Sequence, residues 1–200
     1  MENLISIMGR NIKAQGLNKS ALPDRRKIKE LVFSDYLPYL DNLPQLNLPS
    51  NPLLFYPGCG SDILMPLLYV EKMFPAIKEF SFLFIDINDL LQLIQTTLDE
   101  VGVSFSQDGN KIDFYWDEKL IHLEFQQGDV SKIDLPEYDL YFEQFFRIMK
   151  PEGFEEIAYN KLKSNGILIS DNGFQKFPLE KKNSPQGLSP YGEMIIGIKK

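Results

Sequence analysis

The sequence has few of the residues that build disulfides, metal centres and membrane spans. Its 200 residues include one cysteine and one histidine, so an internal disulfide is excluded and we predict no metal site. The longest strongly apolar stretch, residues 63–70, is too short to cross a bilayer and contains Pro66. The first eight residues lack the basic start and the long apolar run of a secretory signal. We therefore expect a cytoplasmic protein without a membrane partner.

Positive charge is scarce outside the N-terminal segment. Residues 1–30 carry seven Lys or Arg against three Asp or Glu, a surplus of +4, which leaves −11 for the other 170 residues of a chain whose net charge is −7. An acidic body argues against a nucleic-acid partner, since such surfaces need clustered positive charge. The basic segment is typical of the solvated face of a helix, although it could also contact an anionic partner.

The length predicts one domain with an N-terminal extension. Three prolines at positions 44, 49 and 52 separate a helical segment from the rest of the chain. We therefore divide the chain into an extension at residues 1–50 and a main domain at residues 51–200. We expect the extension to lie as a lid over the ends of the strands rather than to build the core.

Strand and helix patterns alternate after residue 50, which predicts an α/β fold with a doubly wound, mostly parallel sheet. A β-hairpin interrupts the alternation within residues 103–127, where two turns separate short apolar runs. The predicted helices are residues 24–37, 62–74, 89–101 and 152–162, and the predicted strands are residues 53–56, 80–85, 104–106, 112–116, 120–125, 138–142, 167–170 and 194–198.

A glycine-rich turn follows the first of these strands. Residues 53–62 read LLFYPGCGSD, so Gly58 and Gly60 lie between an apolar strand and a helix N-terminus. Glycine tolerates positive φ and leaves room for a ligand to touch the backbone, and a helix N-terminus attracts anionic groups. The turn therefore indicates a cofactor site, although an ordinary tight β–α turn fits the same residues.

Carboxylates follow the next three parallel strands at the edge where ligands bind in such sheets. Asp86 ends the second strand, Asp129 follows the third and Glu143 follows the fourth. A carboxylate after the second strand can accept two hydrogen bonds from a ribose diol, and one after the third can accept a bond from an amino group such as that of adenine. Glu143 is the best-placed general base, although a solvated loop carboxylate is the simpler interpretation.

These pieces together resemble the class I methyltransferases that use S-adenosylmethionine. The similarity covers residues 50–171 and includes LLFYPGCGSD as the first motif, Phe84-Ile85-Asp86 as the second, Gln127-Gly128-Asp129-Val130 as the third and LKSNGILI before the fifth strand. The resemblance implies that Gly58 and Gly60 line the methionine part of the cofactor, that Asp86 holds the ribose and that Asp129 holds the adenine amino group. It also implies that Val130 and Tyr56 lie at the cofactor.

The sequence departs from this family at the first motif. Tyr56 stands where the family often has an acidic residue, and Asp62 stands where a third glycine is usual. Asp62 could bind the cofactor's ammonium group, or it could only cap the following helix.

We therefore predict an S-adenosylmethionine-dependent methyltransferase acting on a small-molecule acceptor. The alternatives are a non-catalytic module with the same fold and, less favoured, a nicotinamide-dependent oxidoreductase. The dinucleotide-binding motif of such oxidoreductases, G-x-G-x-x-G, needs a glycine at position 63, where this chain has Ile63.

Overall fold

The computed structural model describes residues 8–32, 34–147 and 149–200. Two 3-10 helices, Ser34–Tyr36 and Gln186–Leu188, accompany five α-helices and nine strands among these residues. The helices are α1 (Arg25–Leu31), α2 (Leu37–Leu40), α3 (Leu64–Met73), α4 (Leu91–Glu100) and α5 (Phe154–Lys161). The strands are β1 (Leu53–Pro57), β2 (Glu79–Asp86), β3 (Phe105–Asp108), β4 (Lys111–Trp116), β5 (Lys119–Gln127), β6 (Tyr138–Glu143), β7 (Leu162–Ser170), β8 (Leu179–Lys181) and β9 (Ile195–Lys199).

All nine strands form one sheet in the order β3-β4-β5-β2-β1-β6-β7-β9-β8. The five central strands, β5, β2, β1, β6 and β7, are parallel, and their spatial order reverses at β1, where chain connections leave to both sides. This is the switch point of a doubly wound sheet, where the carboxyl ends of neighbouring strands open a crevice. The predicted fold class is confirmed.

Helices pack against both faces of the central strands. Buried side chains of α1 to α4 contact one face, which includes Leu54, Tyr56 and Phe142. Phe154 and Ala158 of α5 contact the opposite face, around Phe55 and Tyr141. Because successive side chains of a strand point to opposite faces of the sheet, β1 and β6 contribute to both halves of the core.

The predicted β-hairpin is present, and it extends the third parallel strand. β3, β4 and β5 form an antiparallel meander, and β5 then runs parallel to β2. A doubly wound sheet is ordinarily covered by helices on both faces, but residues 128–137, which lead from β5 to β6, contain no helix. There β5 alternates buried with half-buried residues, as in antiparallel sheets with one solvated face. The half-buried His122 lies there between Asp113 and Glu79.

The N-terminal segment packs into the core instead of resting on it. Ile28, Leu40 and Leu43 are buried members of the cluster that also holds β1 and α3. Backbone bonds join this segment to the body, because the Gly16 N–H donates to Phe105 O at 3.0 Å and the Leu46 N–H to Met73 O at 2.9 Å. The expectation that residues 1–50 stay outside the core is therefore wrong for these side chains, whereas the boundary at residue 50 stays a prediction.

Several predicted element ends differ from the structure. The sequence predicts Asp24 as the N-cap of α1, and Asp24 accepts from the N–H groups of Arg26 and Lys27. The helix ends at Leu31, however, and α2 begins at Leu37, one residue before Pro38. The sequence predicts Asn88 as the cap of α4, but the helix begins at Leu91, whose N–H donates to Asp89 Oδ1 at 3.3 Å. The sequence also predicts that Asn165 and Gly166 close α5, since glycine suits the position after a helix, but both lie within β7, which begins directly after the helix. The sequence pattern does not predict β8.

Within the described residues, no helix has the length and apolar character needed to cross a bilayer.

Candidate functional site

The loop after β1 takes the backbone conformation that its glycines allow. Gly58 and Gly60 have φ values of 55° and 56°, in the left-handed region that side chains disfavour. The Gly58 N–H donates to Ile85 O at 2.8 Å, so the loop stays attached to the end of β2. A Cβ on Gly58 would collide with the ring of Phe146, whereas a Cβ on Gly60 would meet no heavy atom within 4 Å. Gly58 is therefore needed for packing, and Gly60 faces open space.

Asp86 ties the ends of β1 and β2 together. Its Oδ2 accepts from the Gly60 N–H at 2.9 Å, and its Oδ1 accepts from the Asn88 N–H at 2.9 Å. The residue is 7% exposed. The Asn88 side-chain amide also donates to Oδ1, at 3.4 Å, so of the about four acceptor positions of a carboxylate one remains, on Oδ2. This position suits a hydroxyl donor on the cavity side.

Two adjoining cavities open beside this loop. The larger, about 530 Å³, is lined by Gly60, Asp62 and Gln144 among others. The smaller, about 200 Å³, is lined by Asp86, Asp129 and other residues that include Val130 and Phe146. Gly58 and Met149 line both, so the two cavities lie side by side along the carboxyl ends of β1, β2, β5 and β6, and we call the pair the cleft. Of the eight predicted site residues, seven line this cleft, and Glu143 does not.

Asp129 is held in a tight turn. Its Oδ1 accepts from the Ser131 N–H at 3.0 Å and from the Ser131 hydroxyl at 2.6 Å, and Lys132 lies 3.0 Å from Oδ2. The Ser131 hydroxyl, the Lys132 ammonium and the Ser131 N–H lower the pKa of Asp129 to about 2. The carboxylate is therefore ionised at neutral pH and can accept a further bond. Its bond to an adenine amino group stays a prediction.

Tyr56 and Asp62 form a pair on the wall of the larger cavity. The Tyr56 hydroxyl donates to Asp62 Oδ2 at 3.1 Å, and Asp62 Oδ1 accepts from the Met65 N–H at 3.0 Å. Burial raises the pKa of Asp62 to about 6, against the lowering effect of the Met65 and Tyr56 bonds. Asp62 thus caps the first turn of α3, and it also lines the cavity, so the two alternatives left open by the sequence are compatible.

Glu143 lies on the other face of the sheet, with its side chain fully buried. Its carboxylate accepts from the Tyr141 hydroxyl, the Lys150 ammonium and the Ser170 hydroxyl, each at 2.5 Å. Burial raises the pKa of Glu143, although Lys150 opposes the shift. The general-base role stays a prediction that this geometry disfavours, because the carboxylate would first have to leave these partners.

The sequence analysis missed several residues that line the larger cavity. Gln144, Phe145 and Met149 follow β6 and line the larger cavity, and Phe145 adopts a φ of 61°. Asp171, after β7, fixes this bend because its Oδ2 accepts from the Phe145 N–H at 2.7 Å. These residues could have been found from their position after the fourth parallel strand. At that position, however, the sequence pattern favours Glu143 alone.

No family model and no curated protein matches the chain. Solved structures similar to it include two S-adenosylmethionine-dependent methyltransferases in complex with S-adenosyl-L-homocysteine, from Thiobacillus denitrificans and Geobacter sulfurreducens. Each is 13% identical, with a TM-score of 0.40, over 72% of this chain and 47% of the other. A further one, from Aquifex aeolicus, is 14% identical, with a TM-score of 0.41, over 86% of this chain and 95% of the other.

The chain thus spans about half the length of the first two of these structures. All three are named as S-adenosylmethionine-dependent methyltransferases. Identities this low assign neither an activity nor an acceptor to the chain.

Proposed function

We propose that the chain is an S-adenosylmethionine-dependent methyltransferase that acts on a small-molecule acceptor. The observation that carries the proposal is the bond from the Gly60 N–H to Asp86 Oδ2. This hydrogen bond holds the glycine loop and the carboxylate after β2 together at the edge of the cleft. The open space at Gly60 and the spare acceptor capacity of Asp86 fit a nucleoside with a bulky 5′ substituent.

Each end of the cleft would hold a different part of the cofactor. Asp86 would accept a bond from a ribose hydroxyl, and Asp129, beside Val130 in the smaller cavity, would meet the adenine. Gly60 would let the methionine part pass into the larger cavity, where Asp62 can accept a bond from its ammonium group. When bound, the cofactor supplies an electrophilic methyl group on a sulfonium.

The chain's own contribution would be positioning and exclusion of water, which are the main demands of an in-line transfer. Phe145 and Met149 form the acceptor side of the larger cavity, and Leu31 and Val32 of the N-terminal segment line it too. These residues would close the cleft around the reacting atoms. We assign no general base, because Glu143 faces away from the cleft.

A nicotinamide-dependent oxidoreductase fits less well. The dinucleotide fingerprint uses its third glycine for close packing of helix on strand, and that position holds Ile63, which is 0% exposed. A non-catalytic module with the same fold would keep the cleft and lose only turnover. It therefore differs from an enzyme in activity and not in binding.

Calorimetry separates these functions. We expect S-adenosylmethionine and S-adenosylhomocysteine to bind with one-to-one stoichiometry and NADH not to bind. Incubation with methyl-labelled S-adenosylmethionine and a small-molecule cell extract should then yield a labelled product. Binding of NADH alone would overturn the proposal, and cofactor binding without any labelled product would favour the non-catalytic module.

A further inference from the structure

The loop after β6 carries side chains that shape the cleft. Met149 lines both cavities, and Phe146 lines the smaller one. The Phe146 ring also occupies the space into which a Cβ on Gly58 would project, so this loop lies directly against the glycine loop. The conformation of the loop after β6 therefore sets the shape of the cleft.

A buried ion pair joins the two residues that flank this loop. Glu143 is the last residue of β6, and Lys150 follows Met149. The Lys150 Nζ lies 2.5 Å from Glu143 Oε1, and the two side chains are 7% and 0% exposed. The same ammonium lies 3.6 Å from Glu155 of α5 and 4.9 Å from the ring centroid of Phe174. Lys150 thus ties the end of the loop to the face of the sheet that lies away from the cleft.

Such a pair is better suited to holding one conformation than to adding stability. The cost of removing two charges from water largely offsets their attraction, so a buried ion pair contributes little net stability. A buried charge that loses its partner is strongly unfavourable, however, which disfavours any loop conformation that separates Lys150 from Glu143. The hydroxyls of Tyr141 and Ser170 also donate to Glu143, and they fix the place where its carboxylate meets the lysine.

The other end of the loop contains a residue in a disfavoured conformation. Phe145 has a φ of 61°, and its N–H donates to Asp171 Oδ2 at 2.7 Å. A non-glycine residue in the left-handed region persists where the surrounding structure holds it there. The loop is therefore held by a carboxylate at each end, Asp171 at its start and Glu143 at its close.

We propose that Lys150 is a positioning residue, whose ion pair with Glu143 holds the loop after β6 against Gly58 in the shape that the cofactor needs. Neither member of the pair lines a cavity, so both act through Phe146 and Met149. The role of this shape in cofactor binding rests on the proposed function, whereas the hold on the loop can be measured without a ligand.

The test replaces the pair in the full chain by Glu143→Gln/Lys150→Met. The glutamine oxygen still accepts a bond, and no buried charge is left unpaired, so we expect a melting temperature within a few degrees of the parent. Amide hydrogen exchange followed by NMR then reports on the loop through the N–H groups of Phe145 and Met149, which donate to Asp171 Oδ2 and Phe146 O. Exchange at both should become about ten-fold faster as the loop opens locally, while amides of β1 keep the rates of the parent.

Calorimetry with S-adenosylhomocysteine is the second measurement. Absence of binding to the parent protein would count against the proposed function, and amide exchange would still decide whether the ion pair holds the loop. A site whose binding conformation falls to about a tenth of the molecules binds about ten-fold more weakly, and we expect this loss in the double variant. Lys163→Met is the matched control, because Lys163 pairs at 3.0 Å with Asp139 near the other end of β6. It should bind like the parent.

Parent-like exchange of the Phe145 and Met149 amides in the folded double variant would overturn the proposal. An equal loss of S-adenosylhomocysteine affinity in Lys163→Met would overturn it too, because the effect would then be one of general stability. If the double variant does not fold, Lys150→Met alone is measured in the same way; burial already raises the pKa of Glu143, so that its carboxyl can take up a proton. If neither variant folds, the pair is needed for the fold itself and the positioning role is wrong.

Discussion

Asp86 serves both the structure of the loop and the proposed chemistry of the cleft. Its two oxygens each accept a backbone N–H, from Gly60 and from Asn88. These bonds hold the carboxylate rigidly at the cavity edge, where a further donor can reach it. A residue with two such roles should lose both when it is truncated.

We expect Asp86→Ala to weaken S-adenosylhomocysteine binding by about 1.5–3 kcal/mol, the range for hydrogen bonds to a charged group. The variant should also melt at a lower temperature, because two backbone donors lose their acceptor. Calorimetry and thermal melting measure the two effects. Asp89→Ala, an exposed position three residues away, is the control and should bind normally. An unchanged affinity in folded Asp86→Ala would remove Asp86 from the site.

Asp62 should make stability depend on pH. Its pKa rises from 3.8 to about 6 because of burial, so the folded state keeps the proton that the unfolded state has already lost. Stability is therefore expected to fall as pH rises from about 4 through 6 and to level off above that, by on the order of 1 kcal/mol. Asp62→Asn keeps an oxygen for the Met65 N–H and removes the titration. Urea unfolding at pH 4 and pH 7 should show a larger fall in the parent protein than in the variant, which keeps the other buried carboxyls with raised pKa, Glu143 and Asp171; an equal fall in both proteins would contradict the assignment.

At the scale of elements, the β1–α3 loop uses its two glycines for different purposes. Both have positive φ, but only Gly58 is pressed against a neighbour, the ring of Phe146. Phe146 packs in turn on Phe154 of α5, with ring centroids 5.8 Å apart. The loop conformation is thus coupled to the helix on the far face of the sheet through Gly58, and to the cavity through Gly60.

We expect the two positions to separate stability from binding. Gly58→Ala should lower the free energy of unfolding by about 1–3 kcal/mol more than Gly60→Ala does, since overpacking adds to the shared backbone strain. Gly60→Val should abolish S-adenosylhomocysteine binding and keep a native far-UV circular dichroism spectrum, because its side chain projects into open space. Normal binding by Gly60→Val would mean that the loop is structural only.

At the scale of the whole molecule, basic residues of the N-terminal segment form ion pairs with acidic residues of the rest of the chain. Arg10 pairs with Glu100 at 2.5 Å and with Asp99 at 3.3 Å, and Arg25 pairs with Glu71 at 2.7 Å. The basic N-terminal segment therefore lies against the chain's own acidic body. Such exposed pairs each contribute little, so its attachment depends mainly on the buried apolar side chains Ile28, Leu40 and Leu43.

A chain that starts at Leu46 should therefore fail to fold. Removing Ile28, Leu40 and Leu43 takes away about 1.5–3 kcal/mol of burial for each side chain, against a total stability of about 5–15 kcal/mol for a typical domain. We expect insoluble protein or a non-cooperative melt. The full-length variant Arg10→Ala, which loses only exposed ion pairs, is the control and should melt within a few degrees of the parent. A soluble truncated chain that binds S-adenosylhomocysteine would restore the interpretation of residues 1–50 as a separate lid.

The local pattern of residues was enough to predict the alternation of strands and helices, the inserted hairpin and the glycine loop. Buried strands, tight turns and helix caps depend on neighbours a few positions apart, so β1, β2 and the Asp24 cap could be predicted from sequence. The position of Asn165 and Gly166 within a strand could not be predicted in this way, because pairing of β7 with β6 and β9 overrides the local preference for a helix end.

Only the tertiary structure decided which face of the sheet each side chain reaches and what meets it there. Glu143 and Gln144 are neighbours in sequence, yet the strand sends Glu143 to Lys150 and Ser170 on one face, while Gln144 lines the cavity. The attachment of residues 28–43 to the core likewise depends on contacts between distant parts of the chain. Sequence determined which chemical groups the chain carries at its strand ends; long-range packing determined which of them face the cleft.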